Sequence, residues 1–122
     1  DVALDDVRGG TIISTEDIFA FLADELHPSR ILLLGEAPGV LDANGIVVSR
    51  ITPADLPTLQ AALTGSAGVD VTGGMAAKVT QMVKLVQRHP EMYAHIFTGI
   101  KPGLLARALL DADLRVGTRI TA

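Results

Sequence analysis

The stretch of this chain whose residues could do chemistry is Gly68–Lys78, which reads Gly-Val-Asp-Val-Thr-Gly-Gly-Met-Ala-Ala-Lys. Gly73 and Gly74 have no Cβ, so a ligand can approach their backbone N–H groups closely. The spacing predicts a helix over Met75–His89, with the glycines at its amino end, where unpaired N–H groups and the helix dipole favour phosphate. Lys78 then shares a face with Gly74, because residues i and i+4 are neighbours on a helix.

This combination predicts a phosphoryl-transfer element, in which a lysine offsets the charge of the transferring group. The same pattern also fits a loop followed by a surface helix whose lysine is solvated. Taken alone, the spacing favours the second alternative.

Composition narrows the class of protein. The chain has 122 residues, a net charge of −4, 48% hydrophobic residues and 3% aromatic residues. This predicts one domain with an aliphatic core, as is typical of α/β proteins. The acidic balance argues against a nucleic-acid partner, and the absence of cysteine excludes disulfides and zinc–thiolate sites. Apolar runs such as Ile31–Leu34 are too short to cross a bilayer, so we expect a cytoplasmic protein with no membrane partner.

The candidate residues need elements to position them. Two short strands joined by a turn are predicted over Val2–Leu4 and Gly10–Ser14. Ser14 or Thr15 then caps a helix that ends at His27. The order after that is strand, hairpin, helix, helix, strand, helix, strand: Ile31–Leu34, Val40–Val48, Thr52–Gly65, Met75–His89, Tyr93–Phe97, Pro102–Leu110 and Gly117–Thr121. Because strands alternate with helices, the expected class is α/β with a mainly parallel sheet.

The loop after the central strand is a second candidate for ligand binding. It reads Gly35-Glu36-Ala37-Pro38-Gly39 and follows the apolar run at its carboxyl end. Ligands of open α/β sheets bind at that edge.

Four motifs in order resemble the carboxyl-terminal, nucleotide-binding half of the amino acid kinase superfamily. They are Ser14–Asp17, Leu33–Asp42, Asp70–Lys78 and Gly117–Ile120. The Asp-Val-Thr-Gly-Gly-Met form is most similar to isopentenyl phosphate kinases; fosfomycin kinases are near relatives, and acetylglutamate, glutamate and uridylate kinases are more distant. The resemblance covers essentially the whole chain. It implies a three-layer sandwich in which residues 1–122 form one nucleotide-binding lobe of a two-lobed kinase, with the amino-terminal lobe absent.

The resemblance also implies roles for individual residues. Lys78 would contact the transferring phosphate, Asp17 would organise the catalytic lysines by ion pairing, and Ser14 and Thr15 would lie at the acceptor phosphate. The implied ATP site, with Met75 against the adenine, consists of Gly35, Glu36, Leu41, Gly73, Gly74, Met75 and Lys78. Three positions depart from the pattern of many relatives, since Gly35 replaces a threonine, Glu36 an aspartate and Leu41 a tyrosine.

The implied reaction is transfer of the ATP γ-phosphate to a phosphate-bearing acceptor, with isopentenyl phosphate favoured and isopentenyl diphosphate as the product. Mg²⁺ would enter with ATP and be held mainly by its phosphates. The full-length enzyme is expected to be a homodimer, and this chain alone is expected to be inactive. The alternatives are a fosfomycin or amino-acid acceptor, or a non-catalytic module that senses a nucleotide.

Simpler roles compete at several of these positions. Asp17 could be an ordinary first-turn helix acid, and Ser14 and Thr15 could be caps only. The three histidines are expected to be structural or solvated, since no other ligands stand at metal-binding spacing. Arg119, in the closing strand, is expected to be structural.

Overall fold

The computed structural model describes residues 2–59 and 71–122, with the backbone alone for residues 71–73. The second half of the predicted helix Thr52–Gly65 and the residues Gly68 and Asp70 of the glycine stretch lie outside these ranges. The described residues form a two-stranded sheet and a four-stranded sheet, with helices packed on both faces of the larger one.

The chain begins with the predicted hairpin. Strand β1 (Val2–Asp5) pairs antiparallel with β2 (Gly9–Ile12). Helix α1 (Thr15–Leu26) follows, and Ser14 is its N-cap, because the Ser14 Oγ accepts a hydrogen bond of 3.1 Å from the N–H of Asp17. At the other end His27 takes a left-handed conformation and donates its N–H to Ala23. Both predicted helix boundaries are therefore confirmed.

The larger sheet contains β3 (Arg30–Gly35), β4 (Arg50–Ile51), β5 (Tyr93–Thr98) and β6 (Thr118–Ile120), in the order β3-β5-β6-β4. Two of its three strand pairings are parallel, and β5–β6 is antiparallel. The prediction of an α/β fold with a mainly parallel sheet is confirmed. Between β3 and β4 the chain turns back on itself, and Leu41 and Val47 form a single antiparallel bridge. A 3₁₀ turn, Pro53–Asp55, follows β4.

Helices cover the two faces of this sheet. Helices α1 and α2 (Val71–Arg88) lie on one face, where they bury a large aliphatic cluster that includes Ile31, Leu33, Val79, Met82, Val83, Val86, Ile96 and Ile120. Helix α3 (Leu104–Leu110) lies on the other face over Phe97 and Leu114. The architecture is thus the expected three-layer sandwich. None of the described helices is long and apolar enough to span a membrane.

Two predicted helix starts are wrong. Helix α2 already includes Gly73 and Gly74, so the glycines do not precede it. A glycine costs a helix only about 1 kcal/mol, and burial of Val79 and Met82 farther along can outweigh that cost. Helix α3 begins at Leu104 rather than at Pro102, because Gly103 at φ 79° cannot be part of a right-handed helix.

Helices α1 and α2 run parallel to each other. Asp17 Oδ1 accepts a hydrogen bond of 2.9 Å from Gln81 Nε2. Two helical turns later, Asp24 contacts Arg88 at 3.3 Å and His89 at 2.7 Å. Both helices therefore begin at the same edge of the sheet.

Candidate active site

The carboxyl edge of the sheet is where the candidate residues meet. Residues 27–29 connect α1 to β3, and residues 89–92 connect α2 to β5. Connections this short require each helix to run antiparallel to the strand that follows it. Because β3 and β5 are parallel, the amino ends of both helices lie beside the carboxyl ends of both strands. This edge combines helix N–H donors with strand-end loops, as anion and nucleotide sites of open α/β sheets do.

Lys78 is held at this edge by Glu16. The Lys78 Nζ lies 3.5 Å from the Glu16 Oε1, and the two side chains are 30% and 18% exposed. Gly74, Lys78 and Gln81 share one face of α2, since they are four and seven residues apart. That face is turned to the first turn of α1, so the ammonium stands beside the amino end of α1, about two turns into α2.

Asp17 does not pair with a lysine among the described residues. Its carboxylate accepts from Gln81, and the acid that contacts Lys78 is its neighbour Glu16. Successive helical residues are about 100° apart around the axis, so only tertiary packing decides which of two adjacent acids faces the partner helix. Ser14 and Thr15 are exposed at the start of α1, as a site for an acceptor phosphate requires.

Open space lies next to Lys78 on α2. A Cβ added to Gly74 would meet no atom within 4 Å. In a helix that starts at Val71, the N–H of Gly73 belongs to the first turn and has no intrahelical acceptor. The glycine pair thus leaves one N–H donor and open space on this side of α2, even though it lies inside the helix.

The strand-end loop begins as the sequence predicted. Gly35 is the last residue of β3, and its carbonyl accepts a hydrogen bond of 2.9 Å from the N–H of Gly99 after β5. Glu36 is exposed, and its backbone carbonyl accepts from the Thr98 hydroxyl at 3.4 Å. The two strand-end loops are therefore joined, and the Glu36 side chain is exposed.

Met75 and Leu41 have different surroundings. Met75 is half-buried and packs against the aliphatic cluster under α1 and α2, where it contributes to the core. Leu41 is 38% exposed beside the strand-end loop, with its backbone in the bridge to Val47. Leu41 thus offers apolar surface to a ligand at this edge.

Thr118 fastens the loop that contains Pro38–Val48. Its buried hydroxyl accepts a hydrogen bond of 2.8 Å from the N–H of Val40 and donates one of 2.6 Å to the carbonyl of Val48. Gly39 is buried against it, and a Cβ there would lie 2.9 Å from the Thr118 Oγ1. The Gly117–Ile120 motif therefore supports the strand-end loop from behind.

Three residues of this edge were missed in the sequence. Glu16 pairs with Lys78 and Gln81 donates to Asp17, and the only sequence signal for Glu16 and Gln81 was their position close to Asp17 and Lys78. The role of Thr118 depends on its hydrogen bonds to Val40 and Val48, which are far from it in the sequence, so no local pattern could predict it.

The histidines lie away from this edge. His27 and His89 stack edge to face with ring centroids 5.6 Å apart near the carboxyl ends of α1 and α2. The hydrogen bond from His89 holds the pKa of Asp24 below its ordinary value. His95 is buried and donates from its Nε2 to the Val116 carbonyl. Among residues 2–59 and 71–122, no three His, Asp or Glu side chains form a group that could hold a metal ion.

Comparisons with known proteins identify the family to which this fold belongs. Residues 1–98 match the sequence profile of the amino acid kinase family, and the chain belongs to that family. The chain is 42% identical over 105 residues to isopentenyl phosphate kinase of Haloferax volcanii, which covers 82% of this chain and 41% of that protein. It is 32% identical over 111 residues to acetylglutamate kinase of Methylobacillus flagellatus, covering 90% and 35%.

A solved structure points the same way. An isopentenyl phosphate kinase structure superimposes on 99% of this chain and 43% of its own, with a TM-score of 0.67 and 25% sequence identity. The resemblance inferred from the four motifs is thereby confirmed. The chain spans less than half the length of each of these relatives.

Proposed function

We propose that the chain is the nucleotide-binding lobe of an ATP-dependent phosphotransferase that converts isopentenyl phosphate to isopentenyl diphosphate. The observation that carries the proposal is the Glu16–Lys78 ion pair at the amino end of α1. The loops after Gly35 and Thr98 lie at the same edge. The identity to isopentenyl phosphate kinase of Haloferax volcanii favours this acceptor over others.

The chemistry asked of these residues is positioning and charge stabilisation, because phosphoryl transfer needs little covalent work from the protein. Lys78 would contact the transferring phosphate, and Glu16 would hold its ammonium in place. Ser14 and Thr15 would bind the acceptor phosphate together with the N–H donors of α1. Gly73 and Gly74 would leave space for the ATP phosphates.

The nucleoside would lie against the strand-end loop. Gly35 would allow close approach of the base or ribose, Glu36 would offer a carboxylate, and Leu41 would give apolar contact. Mg²⁺ would be bound mainly by the ATP phosphates and would neutralise part of their charge. Met75 would support this site from the core instead of stacking on the adenine.

The rest of the enzyme would come from an amino-terminal lobe outside residues 1–122. That lobe would supply the remaining phosphate contacts and most of the acceptor pocket. The chain by itself would therefore have no kinase activity. A homodimer and a cytoplasmic location belong to the same proposal.

The test is Lys78→Ala in the full-length protein, with Lys84→Ala as the matched control. Lys84 is an exposed lysine on the same helix. The kcat for isopentenyl phosphate should fall by about 10²–10³-fold or more in the first variant, since it loses a charge aimed at the transition state. The control should keep normal turnover. Unchanged turnover in Lys78→Ala would refute the assignment.

Two other functions are separated by the acceptor assay. Acetylglutamate kinase is the alternative within the family, because the chain is 32% identical to that of Methylobacillus flagellatus. Turnover with acetylglutamate but not isopentenyl phosphate would establish it. A nucleotide-sensing module would bind ATP in titration calorimetry and give no turnover with any acceptor.

A further inference from the structure

A cavity on the opposite face of the sheet carries an unbalanced positive charge. Its volume is about 420 Å³, and its lining includes Arg50, Arg115, Arg119, His95 and Asp113. It lies on the α3 side of the sheet, because His95 and Arg119 are paired across β5 and β6 and point away from the cluster under α1 and α2. None of these residues belongs to the candidate site at the carboxyl edge of the sheet, which is the nucleotide edge of the proposed function.

The three arginines form no ion pairs with acidic side chains in the part of the chain that the structure describes, although, after the hydrogen bonds from Thr52, the charge of Arg50 also contributes to the lowered pKa of Asp55. Among the described residues, no carboxylate lies within 4.0 Å of any of their guanidinium groups, even though Asp113 lines the same cavity. Guanidinium groups cannot lose their charge in a protein, so gathering three around one cavity is unfavourable unless an anion joins them. His95, which is buried and lines the same cavity, provides no negative charge to balance them.

Neighbouring groups fix the orientation of two of the arginines. Arg119 stacks on the Tyr93 ring, with its Cζ 4.4 Å from the centroid, and donates one hydrogen bond of 2.7 Å to the Ala112 carbonyl. Arg50 donates from its Nε to the Thr121 hydroxyl at 3.1 Å. Each uses one N–H group in this way and keeps the rest of its planar fork for a ligand.

We propose that this cavity binds a small organic anion bearing phosphate or carboxylate groups, at a site separate from the nucleotide edge. The fork of donors on each arginine matches both groups. The volume is that of small-molecule sites, and a concave cavity of this size favours a small ligand over a flat protein surface. The proposal goes beyond the proposed kinase activity, and it stands or falls separately from it.

The experiment is titration calorimetry of the full-length protein with inorganic phosphate, pyrophosphate and citrate, each in the presence of a saturating non-hydrolysable ATP analogue. Binding of phosphate or pyrophosphate in preference to citrate identifies a phosphate ligand, and the reverse identifies a carboxylate. Binding of neither class at millimolar concentration overturns the proposal. The proposal is also overturned if the anion binds without the ATP analogue but does not bind when the analogue is saturating.

The variants connect binding to the arginines. Arg115→Gln, and the double variant Arg50→Gln with Arg115→Gln, should weaken anion binding by about tenfold or more for each charge removed. Arg107→Gln is the matched control, because Arg107 is exposed on α3 and does not line the cavity. Equal affinity in the control and in Arg115→Gln overturns the proposal. Arg115 is exposed, so that single variant should stay folded if the double variant does not.

Discussion

The buried hydroxyl of Thr118 joins two ends of one loop, accepting from the N–H of Val40 and donating to the carbonyl of Val48. The loop starts five residues earlier, at Gly35 on the carboxyl edge of the sheet. A side chain on the last strand thereby sets the path of the segment that is proposed to hold the nucleoside.

Thr118→Val should destabilise the protein and loosen this loop. Valine has nearly the same shape but leaves the buried N–H of Val40 without a partner, which costs about 1–3 kcal/mol, and the partly buried Val48 carbonyl adds a smaller cost. We expect a lower unfolding free energy and a higher KM for ATP with a smaller change in kcat. Thr118→Ser restores the hydroxyl and should recover most of the KM. If serine and valine raise the KM equally, the hydroxyl does not position the loop.

Replacing either of the adjacent acids Glu16 and Asp17 by its amide separates the roles of the two carboxylates. Glu16→Gln removes the carboxylate that lies 3.5 Å from the Lys78 ammonium, and Asp17→Asn changes the group that accepts from Gln81. Glu16→Gln should lower kcat by about 10–100-fold, since a misplaced ammonium loses about one or two charged contacts in the transition state. Asp17→Asn should stay within about threefold. Steady-state kinetics of both full-length variants decide the matter, and a larger loss in Asp17→Asn would reverse the assignment.

Local signals in the sequence were enough for most of the fold. The apolar run Ile31–Leu34 became β3, and Ser14 became the N-cap of α1, because burial and capping depend on neighbours in the chain. The glycine pair was misread as a helix boundary, since propensity could not weigh the packing of Val79 and Met82 against the cost of glycine.

The site was predictable only to the level of its edge. The motifs predicted the family and placed Lys78 and Gly35 in one candidate site, but the partner of Lys78 depends on how α1 and α2 pack. Glu16 and Asp17 have similar chemistry and adjacent positions, so nothing local distinguishes them. The arginine cavity was not anticipated at all, because Arg50 is brought to Arg119 only by the pairing of β4 with β6.

Two glycines with positive φ should respond differently to alanine. Gly117 at φ 65° packs against β5, and a Cβ there would overlap the Ile96 carbonyl oxygen and lie 2.7 Å from the Phe97 Cβ. Gly45 at φ 77° has no atom within 4 Å of such a Cβ. Gly45→Ala should cost only the backbone strain, about 1–2 kcal/mol, and Gly117→Ala should cost clearly more because β5 must shift. Chemical denaturation of the two variants measures the difference, and equal losses would mean that β5 yields without cost.

The stability of the protein should depend on the pH through His95. Burial is the main cause that lowers the pKa of this imidazole, and the positive charges of Arg119 and Arg30 act in the same direction. The hydrogen bond to the Val116 carbonyl opposes them but does not reverse the shift. The folded protein therefore keeps His95 neutral at a pH where the unfolded chain is already protonated.

The sign follows from that difference in proton binding. Above the unfolded pKa of about 6.5, both states are neutral at His95 and its contribution does not change with pH. As the pH falls below about 6.5, the unfolded chain takes up a proton first, so the unfolding free energy decreases by at most about 1.4 kcal/mol per pH unit. His95→Gln keeps a donor for Val116 and removes the titration. Urea denaturation at a series of pH values from about 8 to about 5 measures the free energy of unfolding. Over this range the wild type should lose more of that free energy than His95→Gln. The other two histidines are present in both proteins, so the comparison isolates His95, and identical pH profiles would refute the prediction.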